Sequence, residues 1–147
     1  VNAVGGSAER TGMADIAVAR IGRKPLLAAI AEAIAATVVF LLSDRALGTV
    51  QLSICGKPNG RHRAEVQKLM VHRDARRRGV AAQLMAALER VARDEGLRLL
   101  VLDTEVDSPA EIFYRAQGFQ RAGEIPDFAT SPQGELRGTA LYWKRLP

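Results

Sequence analysis

The segment His72–Ala82 combines arginines, a glycine and the start of a helix, which together suit a site for phosphate. An apolar run, Leu69–Val71, precedes it and an amphipathic pattern follows it. Backbone N–H groups at a helix start lack partners and carry the positive end of the helix dipole. Gly79 lets a ligand approach closely because it has no Cβ. A solvated basic helix start is the alternative, but the strand and Gly79 favour phosphate binding.

The elements around this segment form a strand–helix–strand unit. Arg63–Val71 reads as a strand, and Gly79–Glu95 carries apolar residues at helical spacing, with Gln83, Glu89, Arg90 and Arg93 facing away. Leu99–Leu102 is continuously apolar, as in a strand buried on both faces. The two strands should therefore be parallel, with a right-handed crossover. They bind ligands at their carboxyl ends if they separate there.

The C-terminal part reads as a helix followed by two strands. Ser108–Glu111 has the pattern of a capping box with proline at the first helical position, and the helix should end near Gln117. The strands Phe119–Glu124 and Thr139–Lys144 should pair across a polar loop, Pro126–Gly138.

The N-terminal part is less patterned. We expect residues 1–23 to be loop with a short helical turn near Met13–Ala19, then a helix at Pro25–Ala36. Strands at Thr37–Leu42 and Gly48–Ile54 should form a hairpin through Ser43–Leu47. The apolar stretch Leu26–Leu42 is short for a bilayer crossing and contains Glu32, so we expect no membrane association.

Composition indicates one globular domain spanning residues 1–147, with 48% hydrophobic and 25% charged residues. Cys55 has no second cysteine to pair with, and no signal peptide is visible, so a cytoplasmic location is expected. The net charge of +5 indicates an anionic partner. His62 and His72 lack the companions of a metal site, so no metal is expected.

Two blocks resemble one known family. Arg76–Ala81 fits the pattern R/Q-x-x-G-x-G/A, and Ala110–Phe119 fits A-x-x-x-Y-x-x-x-G-F. Both look like motifs of the GCN5-related N-acetyltransferases (GNAT), in the order and at the separation of that family. Gln51–Ser53, Lys57–Gly60, Arg63–Val71 and Leu102–Glu105 further resemble the tabtoxin-resistance acetyltransferase subgroup.

The resemblance implies an α/β (α+β) fold. Its mixed, mostly antiparallel sheet has a central parallel pair of strands that separates to admit acetyl-CoA, with helices on both faces. The family's first strand and helix are not recognisable here, so we expect them to be missing. The implied activity is acetyl transfer from acetyl-CoA, as co-substrate, to an amine or hydroxyl.

The resemblance also implies site residues. The expected cofactor-binding set is Leu69, Met70, Val71, Arg76, Arg77, Arg78, Gly79, Val80, Ala81, Ala82, Asp107 and Tyr114. Leu69–Val71 should bind through the backbone while their side chains fill the core. Asp107 stands where the family often has asparagine, which puts its contact in question.

The expected catalytic residues are Tyr114, Asp103 and Glu65. Tyr114 could stabilise the departing thiolate, although a buried structural tyrosine is the alternative. Asp103 is favoured for contact with the substrate, and Glu65 is retained as a possible base. Ion pairing or capping would be their structural roles, and Glu105 is a weaker candidate.

The acceptor is expected to be a small amine-bearing molecule. The narrower resemblance suggests a β-lactam toxin or antibiotic-like amino acid, and hence detoxification or resistance. Arg61, Arg63 and Arg115 hint at a carboxylate on the acceptor. Two alternatives stay open: a basic nucleic-acid-binding module formed by Arg61, Arg63, Arg73 and Arg76–Arg78, and a non-catalytic CoA-binding domain. We favour no nucleic-acid partner and consider a homodimer.

Overall fold

The structure, a computed structural model, describes residues 15–20, 34–42 and 45–147, with side chains from Ala46 onward. Its strands are β1 (Asp15–Arg20), β2 (Ile34–Leu42), β3 (Arg45–Ile54), β4 (Arg63–Val71), β5 (Leu99–Glu105), β6 (Gln120–Thr130) and β7 (Leu136–Arg145). Its helices are α1 (Val80–Asp94) and α2 (Pro109–Ala116), with short 3-10 turns at Pro58–Gly60 and Arg73–Ala75.

These strands form one seven-stranded sheet in the order β1-β2-β3-β4-β5-β7-β6. Every neighbouring pair is antiparallel except β4 and β5, which are parallel and flank α1 in the chain. The predicted mixed sheet with a central parallel pair is therefore confirmed.

The parallel pair separates soon after it begins. β4 and β5 are paired at Arg63↔Leu99, Ala64↔Leu100 and Glu65↔Val101, and at no later position. On its other side β4 shifts register against β3 between Thr49 and Gln51, where Lys68 has a left-handed φ of 52°. Such a bulge bends a strand locally. The bend directs the end of β4 away from β5 and opens the sheet.

The core lies between the sheet and the two helices, and the predicted apolar stripe of α1 is buried in it. Gly48 at the start of β3 lies directly under this helix. A Cβ there would stand 2.8 Å from the Met70 carbonyl oxygen and 3.0 Å from Leu84 Cδ1. Helix α1, β3 and the end of β4 therefore meet at a point with no space for a methyl group.

Glu89 does not face solvent as its helical position predicted. It is 8% exposed, and its Oε1 accepts a hydrogen bond from Lys144 Nζ at 2.5 Å. Lys144 Nζ also donates to the Gln117 carbonyl oxygen at 2.7 Å. The partner comes from a distant part of the chain, so helical periodicity could not reveal it. The pair links α1 to β7 and to the end of α2.

The N-terminal prediction is wrong in two places. β1 occupies the region expected to be a loop with a helical turn, so the first strand is present. Ile16 and Val18 alternate with alanine over only a few residues, and pairing with β2 makes this short segment a strand, as in Val18↔Val38. β2 begins at Ile34, within the predicted helix Pro25–Ala36, because pairing with β3 overrides the helix propensity of alanine. The remainder of that helix, residues 25–33, lies outside the described residues.

Two predicted connections are also shorter than expected. β3 already begins at Arg45, inside the expected hairpin turn Ser43–Leu47. The expected loop Pro126–Gly138 is largely strand, because β6 continues to Thr130 and β7 begins at Leu136. This extension carries exposed apolar side chains, at Ile125, Phe128 and Leu136.

A buried carboxylate fixes α2 against the sheet. Glu111 is 4% exposed, and its Oε1 accepts hydrogen bonds from Tyr142 Oη at 2.5 Å and Arg115 Nη2 at 3.3 Å. Its Oε2 accepts from the Asp107 amide at 2.7 Å. The Tyr142 hydrogen bond is the main cause that holds the pKa of this carboxyl below its usual range, despite burial.

The predicted capping box is therefore only half correct. Ser108 makes no capping hydrogen bond, and its Oγ is buried without a partner among the described residues. Glu111 reaches the amide of Asp107 rather than that of Ser108, since Asp107 turns the chain with a φ of 60°.

We predict that Glu111→Gln weakens folding by on the order of 2 kcal/mol at neutral pH, because it removes a charged acceptor from a buried network. Since folding lowers the pKa of Glu111, its stabilisation is present above the ordinary glutamate pKa and is lost as pH falls through the folded-state value. Urea unfolding from pH 7 to pH 3 should show a smaller acid-induced loss in the variant.

Glu124→Gln is the matched control. Glu124 is exposed and pairs with Arg121 at the surface, so its removal should change stability by less than about 1 kcal/mol. Equal pH dependence in wild type and Glu111→Gln would contradict the assignment.

Candidate functional site

A crevice lies beside the end of β4, beyond the last position at which this strand pairs with β5. It has a volume of about 1030 Å³ and lies among the start of β3, the end of β4 and the start of α2. Its lining comprises Ala46, Leu47, Gly48, Thr49, Leu69, Met70, Val71, His72, Arg73, Arg76, Pro109 and Ala110. The crevice is thus at the carboxyl end of the parallel strands, where open α/β sheets bind ligands.

Four of the predicted cofactor residues line this crevice: Leu69, Met70, Val71 and Arg76. Leu69 and Val71 pack against the core, but Met70 is 59% exposed, so the expectation that all three side chains fill the core is wrong at Met70. The bulge at Lys68 shifts the alternation of β4, and this shift could not be read from an uninterrupted apolar run.

The sequence reasoning missed the opposite walls of the crevice. Gly48 and Thr49 come from β3, and Pro109 and Ala110 come from α2. A signal was available for Ala110, since it belongs to the second family-like block. None was available for β3, because its contribution depends on the bulged register with β4.

The turn before α1 presents a run of free donors. The backbone amides of residues 77–82 donate to no acceptor within the described residues, and the first helical hydrogen bond runs from Gln83 N to Gly79 O at 3.1 Å. Arg77 and Gly79 both have left-handed φ angles, of 60° and 78°. Successive amides in such a turn form a concave anion-binding surface at the positive end of the helix. These residues fit a diphosphate group.

The three arginines of this turn differ in their surroundings. Arg76 lines the crevice, and its Nε donates to the Val71 carbonyl oxygen at 3.4 Å. Arg77 and Arg78 are exposed and have no ion-pair partner among the described residues. The expected non-equivalence of the arginines therefore appears in their contacts: Arg76 lies against β4 while the other two guanidiniums are available to an anion.

Tyr114 lies on α2 and is 9% exposed. Its ring packs edge-on against Phe113 and Phe119, with centroid separations of 5.4 and 5.8 Å. Its hydroxyl has no hydrogen-bond partner among the residues that the structure describes. Burial, assisted by the negative charge of Asp103, raises the pKa of Tyr114. The phenol is therefore fixed by ring packing and protonated, and its O–H is available to donate a hydrogen bond to a ligand.

The two candidate carboxylates, Glu65 and Asp103, lie on one face of the sheet but differ in whether a hydrogen bond holds them. Glu65 is opposite Val101 in the parallel ladder, and Asp103 is two residues further along β5. Asp103 Oδ2 accepts a hydrogen bond from Thr139 Oγ1 at 2.9 Å. Glu65 has no hydrogen-bond or ion-pair partner within the described part of the chain. Asp103 is therefore held in place, and Glu65 is not.

Three expectations about other polar residues change. Asp107 offers no amide to a ligand, because Glu111 accepts its hydrogen bond, although its own carboxylate is exposed. Arg115 is engaged by Glu111 and by Tyr142 Oη at 3.0 Å. Arg61 and Arg63 precede or begin β4, at the end remote from the crevice. These three arginines are therefore not brought together at the crevice, and a role toward an acceptor carboxylate stays a prediction.

Among the described residues, no group of histidine, cysteine or acidic side chains is arranged to hold a metal ion. Neither described helix combines the length and the apolar character that a bilayer crossing requires.

Comparison with known families matches residues 15–119 to the acetyltransferase (GNAT) family. This range begins with β1 and ends just after α2, so it contains the turn, the crevice and Tyr114. The chain belongs to the GNAT family. Acetyl-CoA is the co-substrate of this family, and the free amides before α1 and the neighbouring crevice suit its diphosphate and its extended arm.

A curated relative is Probable N-acetyltransferase family 8 member 5 from Mus musculus, which is 34% identical over 85 residues. The match covers 56% of this chain and only 37% of the mouse protein. The chain thus corresponds to little more than a third of that relative's length.

Solved structures share the fold. A ribosomal-protein-alanine N-acetyltransferase from Brucella melitensis superposes with a TM-score of 0.69 at 23% identity, covering 76% of this chain and 68% of that one. The protein yncA from Salmonella typhimurium, solved with its cofactor acetyl-CoA, gives a TM-score of 0.70 at 18% identity, covering 76% and 65%. At these identities the likeness concerns fold alone.

We predict that Gly79→Glu abolishes acetyl-CoA binding, because it places a carboxylate beside the free amides and strains a left-handed position. Isothermal calorimetry should detect no binding to the folded variant.

Gly96→Glu is the matched control, since Gly96 has a φ of 72° at the other end of α1 and no atom within 4 Å of a built Cβ. It should lose a similar amount of stability yet bind acetyl-CoA with wild-type affinity. Unchanged affinity in folded Gly79→Glu would remove this turn from the site.

Proposed function

We propose that this protein transfers the acetyl group of acetyl-CoA to an amine, or to a hydroxyl, of a small molecule by direct attack. The observation that carries the proposal is the run of unpartnered amides at residues 77–82, next to a crevice lined by the part of β4 that no longer pairs with β5. Acetyl-CoA supplies an acetyl group activated as a thioester. The rest of the chemistry is assigned to residues of this chain.

The turn and the end of β4 would act through the backbone. The amides of residues 77–82 bind the diphosphate, with Arg77 and Arg78 adding charge. Beyond Glu65, β4 no longer pairs with β5, and its backbone groups on that side are available except the Val71 carbonyl oxygen, which accepts from Arg76 Nε. Those near Leu69–Val71 can hydrogen-bond a peptide-like arm and polarise a carbonyl, as in an oxyanion hole.

Tyr114 is assigned to the leaving sulfur. Since its pKa is raised, the phenol stays protonated at neutral pH and can donate a hydrogen bond. A thiol is normally more acidic than a phenol, so stabilisation of the thiolate is favoured over complete proton transfer.

We predict that Tyr114→Phe lowers kcat by at least about tenfold, because it removes a hydrogen bond made to developing negative charge. The dissociation constant for acetyl-CoA should stay within about twofold of wild type. Since the hydroxyl has no protein partner among the described residues, stability should change little. Free-thiol release and calorimetry measure the two effects. Equal turnover would remove Tyr114 from the reaction.

Asp103 is assigned to the acceptor amine, and Glu65 is the second candidate for the base. An ammonium must lose a proton before its nitrogen can attack, so a base or a path of waters is needed, and these two carboxylates are the candidate bases. Support for Asp103 comes from its fixed side chain and its electrostatic proximity to Tyr114.

We predict that Asp103→Asn lowers kcat/KM for the acceptor by roughly a hundredfold. Glu65→Gln should cause a smaller loss, because its carboxylate is not held by any described neighbour. Neither variant should change acetyl-CoA affinity. Steady-state kinetics with varied acceptor provides the comparison, and a larger loss in Glu65→Gln would reverse the assignment.

The proposed acceptor is a free amino acid or an antibiotic-like or toxin-like relative, which would make detoxification the biological role. This proposal is supported by the segments that resemble the tabtoxin-resistance subgroup, Gln51–Ser53, Lys57–Gly60, Arg63–Val71 and Leu102–Glu105. A cytoplasmic location is consistent with the unpaired Cys55. The exposed apolar residues Ile125, Phe128 and Leu136 on the β6–β7 extension would suit a homodimer contact.

The experiment that tests the function is a free-thiol assay with acetyl-CoA and a panel of amines. The panel contains the free L-amino acids, spermidine, a β-lactam amine and a peptide with an N-terminal alanine. Thiol release dependent on one amine, with the acetylated product found by mass spectrometry, is the expected result. Tight acetyl-CoA binding without transfer to any amine would favour the non-catalytic alternative.

The nucleic-acid alternative is the less favoured one. Arg61 and Arg63 lie at one end of β4, and Arg73 and Arg76–Arg78 follow the other end. At about 3.3 Å per residue the two groups are separated by roughly 26 Å along the strand. They therefore do not form the continuous patch that the sequence suggested. Salt-dependent RNA or DNA binding without acetyl-CoA binding would instead favour a nucleic-acid-binding module.

A further inference from the structure

Thr139 on β7 has a hydroxyl placed between two acceptors. Its Oγ1 is 2.9 Å from Asp103 Oδ2 and 3.0 Å from the backbone carbonyl oxygen of Thr104. The residue is 3% exposed, so these protein groups replace water as its partners. A hydroxyl carries one proton and two lone pairs. It can therefore donate to only one of these oxygens at a time.

The two acceptors correspond to two states of Asp103. When the carboxylate is ionised, the Thr139 hydroxyl donates to Oδ2. When the carboxyl has taken up a proton, the Thr139 hydroxyl rotates and donates its hydrogen bond to the Thr104 carbonyl oxygen. Its own oxygen then accepts a hydrogen bond from the protonated carboxyl of Asp103. Both states keep every buried polar group paired, which avoids the cost of leaving a donor or acceptor unsatisfied. Glu65 has no such companion among the described residues.

We propose that Thr139 is a positioning residue that makes Asp103, rather than Glu65, the group that takes the proton from the acceptor amine. This inference rests on the proposed acetyl transfer. In the step concerned, an N–H bond of the acceptor ammonium breaks and an O–H bond forms on Asp103, so both charges are neutralised. The proton then passes to solvent, since Asp103 is exposed. Thr139 contacts Asp103 and not the acceptor.

The test uses the amine with the highest kcat/KM in the panel above and compares Thr139→Val with Thr139→Ser. Valine has the shape of threonine without the hydroxyl, whereas serine retains it. Thr139→Val should lower kcat/KM for the acceptor about tenfold, the value of one hydrogen bond to a charged group. Thr139→Ser should recover most of that loss. The KM for acetyl-CoA should not change in either variant.

A double-mutant cycle separates positioning from a general structural role. Asp103→Asn combined with Thr139→Val should be no less active than Asp103→Asn alone, because Thr139 acts only through that carboxylate. Wild-type activity in Thr139→Val, equal losses in Thr139→Val and Thr139→Ser, or independent losses in the double variant would each overturn the inference. These outcomes require an active wild type. A wild type that acetylates no amine refutes the proposed function and the inference with it.

Discussion

The separation of β4 from β5 is the constraint on which the site depends. In a continuous parallel ladder, the N–H and C=O groups that face the neighbouring strand are all hydrogen-bonded to it, so none remains for a ligand. Here the ladder ends after Glu65 and Val101. The bulge at Lys68 supplies a local cause, since an extra residue with left-handed φ bends β4 while its pairing to β3 resumes at Met70. The crevice and the loss of β5 pairing beyond Glu65 are attributed to this one irregularity.

A second requirement is that the far wall of the crevice stay fixed while the strands are apart. Glu111 meets this requirement by binding Tyr142 on β7, Arg115 on its own helix and the Asp107 amide in the preceding turn. A lone buried carboxylate would be costly, but this one has a partner for each oxygen. The network holds Pro109 and Ala110 at the crevice and Tyr114 beside Asp103.

The sequence predicted well those features that local rules control. The bounds of β4 match those predicted, α1 matches to within a residue at each end, and the free amides lie at the turn where Gly79 and the arginines indicated them. The failures have a common origin in long-range pairing. β1 and the start of β2 are strands because they pair, Glu89 is buried because Lys144 reaches it, and Arg115 is occupied because Glu111 and Tyr142 are near it.

The acid–base residues show the same division. The sequence showed which carboxylates lie on the two parallel strands, but it did not show which hydrogen-bond partners hold each one. Thr139 lies 36 residues from Asp103 in the chain, and only the β5–β7 register brings its hydroxyl to that carboxylate. The sequence alone therefore cannot decide which carboxylate is the better candidate for the base, because that depends on neighbours that only the fold brings close.

The contact at Gly48 sets a limit on how this protein can vary. An added methyl group would press on the Met70 carbonyl from one side and on Leu84 from the other. Relief on the first side moves the β4 backbone that lines the crevice, and relief on the second side shifts the Leu84 side chain on the helix that follows the arginine turn. Replacement by alanine would thus disturb both halves of the site without introducing any new group into it. Any side chain at position 48 must therefore be accompanied by a shift of the β4 backbone.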